Sequence, residues 1–295
     1  MKIALIGKNG QVGFECRRTL SFSEKVLYLS RSDFNHDYNT LKNILLKESP
    51  DFIVNAAAYT NVDKAESEKE KCFSANVELP EMLSEICKTL NSSLIHLSTD
   101  YVFDGKSEVP YCENDEINPI NYYGETKSLG ESKVVTSGCD YIILRTSWVY
   151  GHKGINFVKK MISYAQEKET LKIINDQFGS PTSARFLAQL INNLILLNLN
   201  GFGSNAGIYH ACASGQTSWF EFGKIVIEDS VPLIHKKVKE IIAVASTNFK
   251  TVAKRPIYSV LSTEKLSKTF NIYPPTWEEL LSFHLEERDW SIIDE

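Results

Sequence analysis

The 295-residue chain is 43% hydrophobic and 23% charged, which is typical of a soluble globular protein with one or two cores. Its formal net charge of −5 and the lack of a basic run argue against nucleic acid or an anionic membrane surface as a partner. No stretch reaches the roughly 18 apolar residues of a membrane span, and the apolar run after Lys2 stops at Gly7, too early for a signal peptide.

In the first half of the chain, short apolar runs alternate with amphipathic stretches. The runs are rich in β-branched residues, as buried parallel strands are. In chain order they are KIALIG, KVLYL, DFIVNAAA, SSLIHLS and DYIILRTS. Between two of them, VELPEMLSEICKTL has apolar residues three and four apart, which predicts a helix. This alternation predicts an α/β fold with a Rossmann-type doubly wound parallel sheet.

The pattern loosens after Tyr150, where ARFLAQLINNLILL predicts a helix and GIYHACA a strand. We expect residues 1–150 to form an NAD(P)-binding Rossmann domain that also receives roughly 183–215. Residues 151–182 and 216–295 are then a smaller C-terminal substrate-binding domain. Six cysteines without C-x-x-C spacing favour reduced thiols in a cytoplasmic protein over a metal or redox site.

Three glycines follow the first predicted strand in ALIGKNGQVGFE. Gly7 is the first, and Gly10 and Gly13 flank Gln11 and Val12 at the start of a predicted helix. A turn without side chains lets backbone N–H groups approach a pyrophosphate, whose charge the helix N-terminus favours. The spacing is G-x-x-G-x-x-G rather than G-x-G-x-x-G, and a purely structural turn also uses glycine. In an alternating chain, this position nevertheless predicts that the five residues bind a dinucleotide.

The end of the second predicted strand indicates which dinucleotide binds. An acidic residue there would hold a ribose 2′-hydroxyl, whereas an arginine suits a 2′-phosphate. KVLYL is followed by Ser30 and Arg31, with Asp33 and Phe34 shortly after. The alternative is that Arg31 is merely a solvated loop residue. We therefore predict NADPH as the cofactor, with Arg31, Asp33 and Phe34 beside it, and leave NADH open.

Two further motifs, STDYVFDG and NYYGETK, carry hydroxyl groups and a lysine. Lys127 is four residues after Tyr123 and five after Tyr122, so Tyr123 shares its helix face. A neighbouring ammonium favours the ionised form of a phenol, whose free pKa is about 10. Such a phenol can protonate a ketone oxygen while Thr99, or Ser98 in its place, hydrogen-bonds the same oxygen. Most Tyr–Lys pairs at this spacing are surface contacts, but strand ends are where this architecture binds ligands.

Together these motifs resemble the extended short-chain dehydrogenase/reductase family, and within it the dTDP-4-dehydrorhamnose reductase branch. The resemblance runs through GKNGQVGFE, VNAAAYTNVDKAE, STDYVFDG, NYYGETK, LRTSWVYG, INDQFGSPT and RPIYSVLST, nearly the whole chain. It implies NADPH-dependent reduction of the C4 ketone of dTDP-4-dehydro-6-deoxy-L-mannose to dTDP-L-rhamnose, for surface polysaccharide biosynthesis.

The resemblance also implies roles for individual residues. Tyr123 is the proton donor, Lys127 tunes it and holds the nicotinamide ribose, and Thr99 completes the catalytic triad. Residues of the NAAAYT segment lie along the cofactor: Ala57, Ala58 and Thr60. Residues that match the nucleotide-sugar pocket are Asp100, Tyr101, Trp148 and, near the diphosphate, Arg255. Without the other motifs, we would interpret the alanines and the tryptophan as core residues and Arg255 as a surface residue.

Related enzymes can form a dimer in which Mg²⁺ bridges acidic residues. This chain keeps Glu15, but Arg185 in SPTSARFLAQL stands where that arrangement would have an acid. Because a cation in place of a carboxylate weakens a divalent metal site, we predict no bound metal and leave a homodimer open. As an alternative, Arg185 pairs with Glu15 of the partner subunit, in a contact that is weak if exposed.

Two other functions stay open. A sister reductase would use the same triad but give the other C4 epimer or act on a different nucleotide sugar, because the sequence does not show which sugar face meets the nicotinamide. A non-catalytic regulatory subunit of the same fold is the second, as in relatives of the methionine adenosyltransferase regulatory subunit. Such a subunit would have no need of an intact Thr99, Tyr123 and Lys127.

Overall fold

The computed structural model describes residues 1–23, 25–230 and 236–287. The β-strands in these ranges are β1 (Lys2–Ile6), β2 (Lys25–Leu29), β3 (Phe52–Asn55), β4 (Ser93–Thr99), β5 (Asp140–Thr146), β6 (Val149–Tyr150), β7 (Thr170–Ile174), β8 (Phe178–Gly179), β9 (Thr182–Ser183), β10 (Gly207–His210), β11 (Thr217–Ser218) and β12 (Glu240–Val244). The α-helices are α1 (Gln11–Thr19), α2 (Tyr38–Glu48), α3 (Val62–Ala65), α4 (Lys69–Phe73), α5 (Leu79–Leu90), α6 (Tyr122–Ser137), α7 (Phe157–Glu167), α8 (Ala184–Leu197), α9 (Trp219–Ser230), α10 (Glu264–Phe270) and α11 (Trp277–Glu286). None of the helices in the described ranges is long and apolar enough to cross a membrane.

Six of these strands form one parallel sheet in the order β10-β5-β4-β3-β1-β2. The order reverses between β1 and β3, because β2 lies on one side of β1 and all later strands lie on the other. In doubly wound folds, ligands bind outside the carboxyl ends of the strands at such a reversal. The predicted Rossmann-type fold is confirmed, and each of the six predicted strands contains a strand of this sheet.

Helices cover both faces of the sheet, as its apolar strands require. Along β1, Ile3 and Leu5 belong to a core that includes side chains of α1 and α8, whereas Ala4 and Ile6 belong to a second core with α2 and α5. This alternation follows from the two-residue period of a strand. Between α4 and α5 the chain makes a π-helical turn, 74–78, which the periodicity of the sequence does not predict.

The C-terminal half of the chain contributes to both the sheet and smaller strand pairs. β10 pairs with β5 at the sheet edge, and α8 packs against α1. Away from the main sheet, β7 pairs with β12, β8 with β11 and β6 with β9. The apolar core that includes α1 and α8 continues into α7, α9 and α11. The division into two domains at the predicted boundaries stays a prediction.

Candidate active site

Helix α6 brings the predicted tyrosine and lysine to the end of β4. The helix begins after Asn121, whose side chain accepts a hydrogen bond from Gly124 N at 2.8 Å and donates one to the Lys254 carbonyl at 2.8 Å. Gly124 lies so close to the turn after β4 that a Cβ there would be 2.1 Å from the carbonyl oxygen of Tyr101. The start of α6 is therefore held against the residues that follow Thr99.

Thr99 is buried at this contact, as the last residue of β4. Its hydroxyl accepts a hydrogen bond from Tyr101 N at 3.2 Å and donates one to the Asp100 carboxylate at 2.9 Å. The side chain of the same threonine acts on the Tyr123 hydroxyl and lowers its pKa, against the larger effect of burial. The ring of Tyr123 packs edge-on against that of Tyr101, with 5.7 Å between the ring centroids. Two motifs that are separate in the sequence thus meet through their hydroxyl groups.

Lys127 lies one turn further along α6 and is buried. Its Nζ donates a hydrogen bond to the Leu97 carbonyl at 2.6 Å and lies 3.4 Å from His96 Nε2. Burial lowers the pKa of Lys127 to about 8, although the Glu131 carboxylate opposes this shift. The amine is therefore anchored to β4, the strand that carries Thr99.

The two alternative hydroxyl residues of these motifs face elsewhere. The ammonium of Lys69 lies 5.0 Å from the ring centroid of Tyr122. Ser98 donates its hydroxyl to the buried Glu131 carboxylate at 2.5 Å. The structure therefore places Tyr123, and not its neighbour, beside the threonine, as the helical spacing predicts.

The pKa of Tyr123 shifts in the direction opposite to the prediction. A nearby ammonium would favour the phenolate, but burial raises the pKa of Tyr123 above that of a free phenol, and the Thr99 hydrogen bond opposes this shift. The Lys127 ammonium is directed at the Leu97 carbonyl. The predicted lowering is therefore wrong. Tyr123 keeps its proton at neutral pH, which a proton donor requires.

A cleft of about 440 Å³ opens beyond the carboxyl ends of β1, β2 and β3. Several predicted cofactor residues line it: Gly7, Gly10, Arg31, Phe34, Ala57 and Ala58. Gly7 has a φ of +92°, and a Cβ there would be 2.6 Å from Ala57 N, so the turn requires glycine. With the N-terminus of α1 on one side and a guanidinium on the other, the cleft fits a dinucleotide that carries a 2′-phosphate.

Other residues of this cleft are not predicted from the sequence: Asn9, Ser30, Ser32, His36, Tyr38 and Leu79. Ser30 and Ser32 share a hydrogen bond of 2.9 Å between their hydroxyls. Their polar character directly after the second strand is a signal that points to them. Leu79 has no such signal, because it reaches the cleft from α5 and only the tertiary fold places it there.

Asp33 lies beside the cleft, but its carboxylate is already engaged. It accepts hydrogen bonds from Ser30 N at 2.7 Å and from the Ser30 hydroxyl at 2.5 Å, and it pairs with Lys8 Nζ at 2.8 Å. The Lys8 contact, with help from Ser30, lowers the pKa of Asp33 to about 2. Asp33 thus caps the turn after β2, and Arg31 is the charged residue that lines the cleft.

The remaining predicted cofactor residues of the first half support the turn and its surroundings. The Gln11 amide accepts a hydrogen bond from the N-cap of α7 at 3.1 Å. Val12 is buried in the core. A Cβ at Gly13 would be 2.0 Å from the carbonyl oxygen of the first glycine, so this residue lets α1 pack against the turn. Thr60 is exposed after β3.

A larger cavity, of about 840 Å³, connects through Arg255 and Tyr101 to the hydroxyl groups of Thr99 and Tyr123, which we call the hydroxyl cluster. Its cationic and aromatic side chains are Lys106, Lys172, Lys254, Arg255, Phe157, Trp219 and Phe249. The Arg255 guanidinium donates to the Asp63 carboxylate at 2.8 Å and to the Tyr101 hydroxyl at 3.4 Å. Because Tyr101 also packs on Tyr123, Arg255 links this cavity to the hydroxyl cluster. Cations and aromatic rings are the groups that bind a phosphate and a nucleobase.

Asp100 is buried next to Thr99. Burial raises the pKa of Asp100 to about 7, although the side chains of Ser259 and Thr99 oppose this shift. Its perturbed pKa and its contact with Thr99 make Asp100 a candidate functional residue.

Trp148 does not present a free face to the cavity. Its ring stacks on that of Trp219, with 3.5 Å between the ring centroids, and a Cβ at Gly179 would be 2.4 Å from the same ring. Trp148 has a φ of +47°, which is rare for an aromatic residue. Within the described residues, the cavity wall contains Trp219 rather than Trp148. Trp219 carries no signal in the sequence, because SWFEFG is equally compatible with a core helix.

Arg185 is paired within its own chain. Its Nε donates to the buried Glu15 carboxylate at 3.2 Å, and another of its N–H groups donates to Glu287. A guanidinium that lies between two carboxylates does not fit a divalent cation, which needs those oxygens as ligands. This contact lies within one chain, and a pairing of Arg185 with Glu15 of a partner subunit stays a prediction.

Comparison with known proteins identifies the family. A family model described as the RmlD substrate binding domain matches residues 1–289. The chain is 40% identical to the dTDP-4-dehydrorhamnose reductase of Escherichia coli strain K12 over 287 residues, 94% of this chain and 95% of that protein. The crystal structure of the Bacillus anthracis dTDP-4-dehydrorhamnose reductase in complex with NADP is 32% identical, with a TM-score of 0.90 over 97% of this chain and 99% of that chain. The Clostridium acetobutylicum enzyme gives a TM-score of 0.88 at 32% identity, with the same coverage.

These similarities extend over nearly the full length of both the chain and its relatives. They agree with the resemblance carried by the motifs, whose hydroxyl groups and lysine lie together at the end of β4. The chain belongs to the dTDP-4-dehydrorhamnose reductase family.

Proposed function

We propose that this chain reduces the C4 ketone of dTDP-4-dehydro-6-deoxy-L-mannose to dTDP-L-rhamnose, with NADPH as the cofactor. The observation that carries this proposal is the position of Thr99, Tyr123 and Lys127. They lie together at the carboxyl end of β4. Buried contacts through Asn55 and His96 link Lys127 to Ala57 of the dinucleotide-sized cleft. Arg255 of the cavity with cationic and aromatic walls contacts Tyr101, whose ring packs on Tyr123. This is the arrangement that a reductase needs, since cofactor and substrate must meet at the proton donor.

The residues of the cleft have distinct roles toward the cofactor. Bound NADPH supplies the hydride. The backbone around Gly7 and Gly10, at the start of α1, suits the pyrophosphate, and Arg31 suits the 2′-phosphate. Lys127 is the residue we assign to the nicotinamide ribose, because its buried ammonium is held at the same sheet edge.

Tyr123 and Thr99 act on the ketone oxygen. As negative charge develops there, the Tyr123 hydroxyl donates its proton and Thr99 stabilises the same oxygen by a hydrogen bond. The Tyr123 hydroxyl is protonated before the reaction, because burial raises its pKa above that of a free phenol. Arg255 helps to position Tyr123, because it donates a hydrogen bond to Tyr101, whose ring packs on that of Tyr123.

The larger cavity is the site we assign to the nucleotide sugar. Arg255 and Lys254 suit the diphosphate, and Trp219 and Phe249 suit the base or the sugar face. We assign the cofactor to residues 1–150 with roughly 183–215, and most substrate contacts to 151–182 and 216–295. We also place the protein in the cytoplasm, where its six free thiols would stay reduced.

NADPH consumption with dTDP-4-dehydrorhamnose, followed by NMR of the product, tests the proposal. We expect turnover and a product with the C4 configuration of L-rhamnose. Turnover that gives the other epimer would assign the chain to a sister reductase. NADPH binding without turnover on any of a panel of dTDP-4-keto-6-deoxy sugars would refute the enzymatic role.

A further inference from the structure

A buried polar chain connects the cofactor cleft to the catalytic lysine. Asn55 and His96 are directly opposite each other on β3 and β4, and both are completely buried. Asn55 Nδ2 lies 3.0 Å from His96 Nδ1, and Lys127 Nζ lies 3.4 Å from His96 Nε2. On the other side, Asn55 Oδ1 accepts a hydrogen bond at 3.2 Å from the backbone N–H of Ala57, which lines the cleft.

The Ala57 contact determines the orientation of the amide of Asn55. Its Oδ1 faces the backbone N–H of Ala57 and accepts a hydrogen bond from it at 3.2 Å. The NH₂ group of Asn55 therefore faces His96 and donates to Nδ1. A neutral imidazole that accepts at Nδ1 carries its proton on Nε2. Burial and the adjacent Lys127 hold the pKa of His96 well below its usual value, so the ring is neutral.

The Nε2–H of His96 cannot accept a hydrogen bond from the Lys127 ammonium. An ammonium has three donors, and one of them is used by the Leu97 carbonyl. The other ionisable groups that act on Lys127 are Cys72 of α4 and Glu131 of α6. With His96 in this tautomer, its Nε2–H and the Lys127 ammonium present donors to each other at 3.4 Å, so their contact is repulsive. The donors of Lys127 that Leu97 does not use therefore turn away from the imidazole and can serve the cofactor ribose.

We infer that His96 is a positioning residue for the proposed reaction: held by Asn55 with its proton on Nε2, it directs the donors of Lys127 that Leu97 does not use away from the imidazole and toward the cofactor. The inference rests on the proposed function, because it assigns the lysine to the nicotinamide ribose. In the opposite tautomer, Nε2 would accept one donor from Lys127. The affinity for NADPH would then fall, because the Lys127 ammonium would donate to His96 a hydrogen bond that otherwise goes to the cofactor ribose.

The tautomer of His96 is directly measurable in the protein without cofactor. We expect long-range ¹H–¹⁵N NMR on histidine-labelled protein to show His96 protonated on Nε2 alone at neutral pH. The variant His96→Gln assigns the signal by its loss. A ring protonated on Nδ1, or on both nitrogens, would overturn the inference.

Asn55→Asp is the variant that moves the proton. A carboxylate at this position accepts from Nδ1–H, so the NMR signal of His96 should change to the Nδ1 tautomer, and NADPH should bind about tenfold more weakly in a fluorescence titration. Two results would refute the inference: the tautomer does not change, or it changes while NADPH affinity stays at the wild-type level. If this variant does not fold, the tautomer of His96 in the wild-type protein still tests the inference.

The two proposals fail in different ways. Absence of NADPH binding or of turnover in the wild-type protein contradicts the proposed function and leaves the His96 tautomer unaffected. A wrong tautomer in a protein that binds NADPH and reduces the sugar contradicts only the role of His96. A purely structural role would change the melting temperature without linking NADPH affinity to the tautomer.

Discussion

At the scale of single residues, adjacent tyrosines form a matched pair of variants. Tyr123→Phe removes the proton donor but leaves the cofactor cleft unchanged, so kcat should fall about 10²- to 10⁴-fold while NADPH affinity stays near the wild-type value. Tyr122→Phe should have little effect, because that ring lies under Lys69 and outside the hydroxyl cluster. Steady-state kinetics and NADPH titration check both variants. Equal losses in kcat would show that the assignment of the proton donor is wrong.

Arg31 tests the choice of cofactor. Arg31→Ala should weaken NADPH binding by about tenfold or more, through the loss of a charged contact with the 2′-phosphate, and should change NADH binding little. Arg18→Ala is the control, because Arg18 is an exposed arginine of α1. Kd values for both cofactors check the outcome. A wild-type protein that prefers NADH, or equal loss for both cofactors, would contradict the assignment.

Asp100 predicts a specific dependence of stability on pH. Its pKa is about 7 in the folded protein and 3.8 in an unperturbed chain, so between these values the folded state holds a proton that the unfolded state has lost. The contribution of this group to stability therefore falls as the pH rises through that window and is least favourable above it.

Asp100→Asn removes this charge while keeping an oxygen that can accept from Thr99. The melting temperature of the variant, relative to wild type, should therefore rise between about pH 4 and about pH 8. Activity should fall, because the carboxyl group lies against the catalytic threonine. Thermal melts at several pH values measure the difference. A difference that is constant across this range would show that Asp100 is not the group responsible.

At the scale of elements, the packing of α6 against the turn after β4 determines the site. Gly124→Ala would place a Cβ 2.1 Å from the Tyr101 carbonyl oxygen, so helix and turn must separate. We expect a loss of about 1–3 kcal/mol in the free energy of unfolding, as for other overpacked contacts. The value of kcat should fall as well, because Tyr123 moves with the helix.

Ser132→Ala is the control for this variant. Ser132 is exposed on the same helix, away from the turn, and alanine favours helix formation. Its stability and kcat should stay near the wild-type values. Denaturant unfolding and kinetics on both variants separate the effect of the contact from that of helix propensity. If Gly124→Ala had the stability and kcat of wild type, the close approach would not position the tyrosine.

At the scale of the whole molecule, Arg185 connects distant parts of the chain. It joins the start of α8 to Glu15 of α1 and to Glu287, at the end of α11. Because a guanidinium lies where a metal would need oxygen ligands, EDTA and added Mg²⁺ should change neither activity nor oligomeric state. Light scattering and kinetics with and without EDTA test this. A wild-type dimer that dissociates in EDTA would contradict it.

Arg185→Glu is the matched variant for the same experiment. It brings three carboxylates together, a set that suits Mg²⁺. Metal-dependent association or stability should therefore appear in the variant alone. Without added metal the variant should be less stable than wild type, because the buried Glu15 loses its partner and gains a like charge nearby.

Much of the site is predictable from the sequence, because its signals are local. The apolar runs identify the strands of the sheet, so the position of Thr99 at a strand end follows from SSLIHLS alone. The four-residue spacing to Lys127 distinguishes Tyr123 from Tyr122, because residues on one helix face recur at that interval. The glycine turn is equally local, since a positive φ at Gly7 depends on the backbone of a single residue.

Other features of the site depend on contacts between residues far apart in the chain, and only the folded structure shows them. Asp33 is occupied by Lys8, Trp148 is covered by Trp219, and the guanidinium of Arg185 is shared between α1 and the end of α11. No spacing or motif in the sequence identifies these partners, because each contact depends on how separate elements pack.

The pKa values of the site also depend on contacts between distant parts of the chain. The order of residues shows which ionisable groups are present and which of them share a helix face or a strand end. It leads to the expectation of a lowered pKa for Tyr123, because only the neighbouring lysine is apparent. Burial by surrounding elements raises that pKa instead, and lowers that of Lys127. Desolvation depends on everything packed around a group, so only the folded chain decides it.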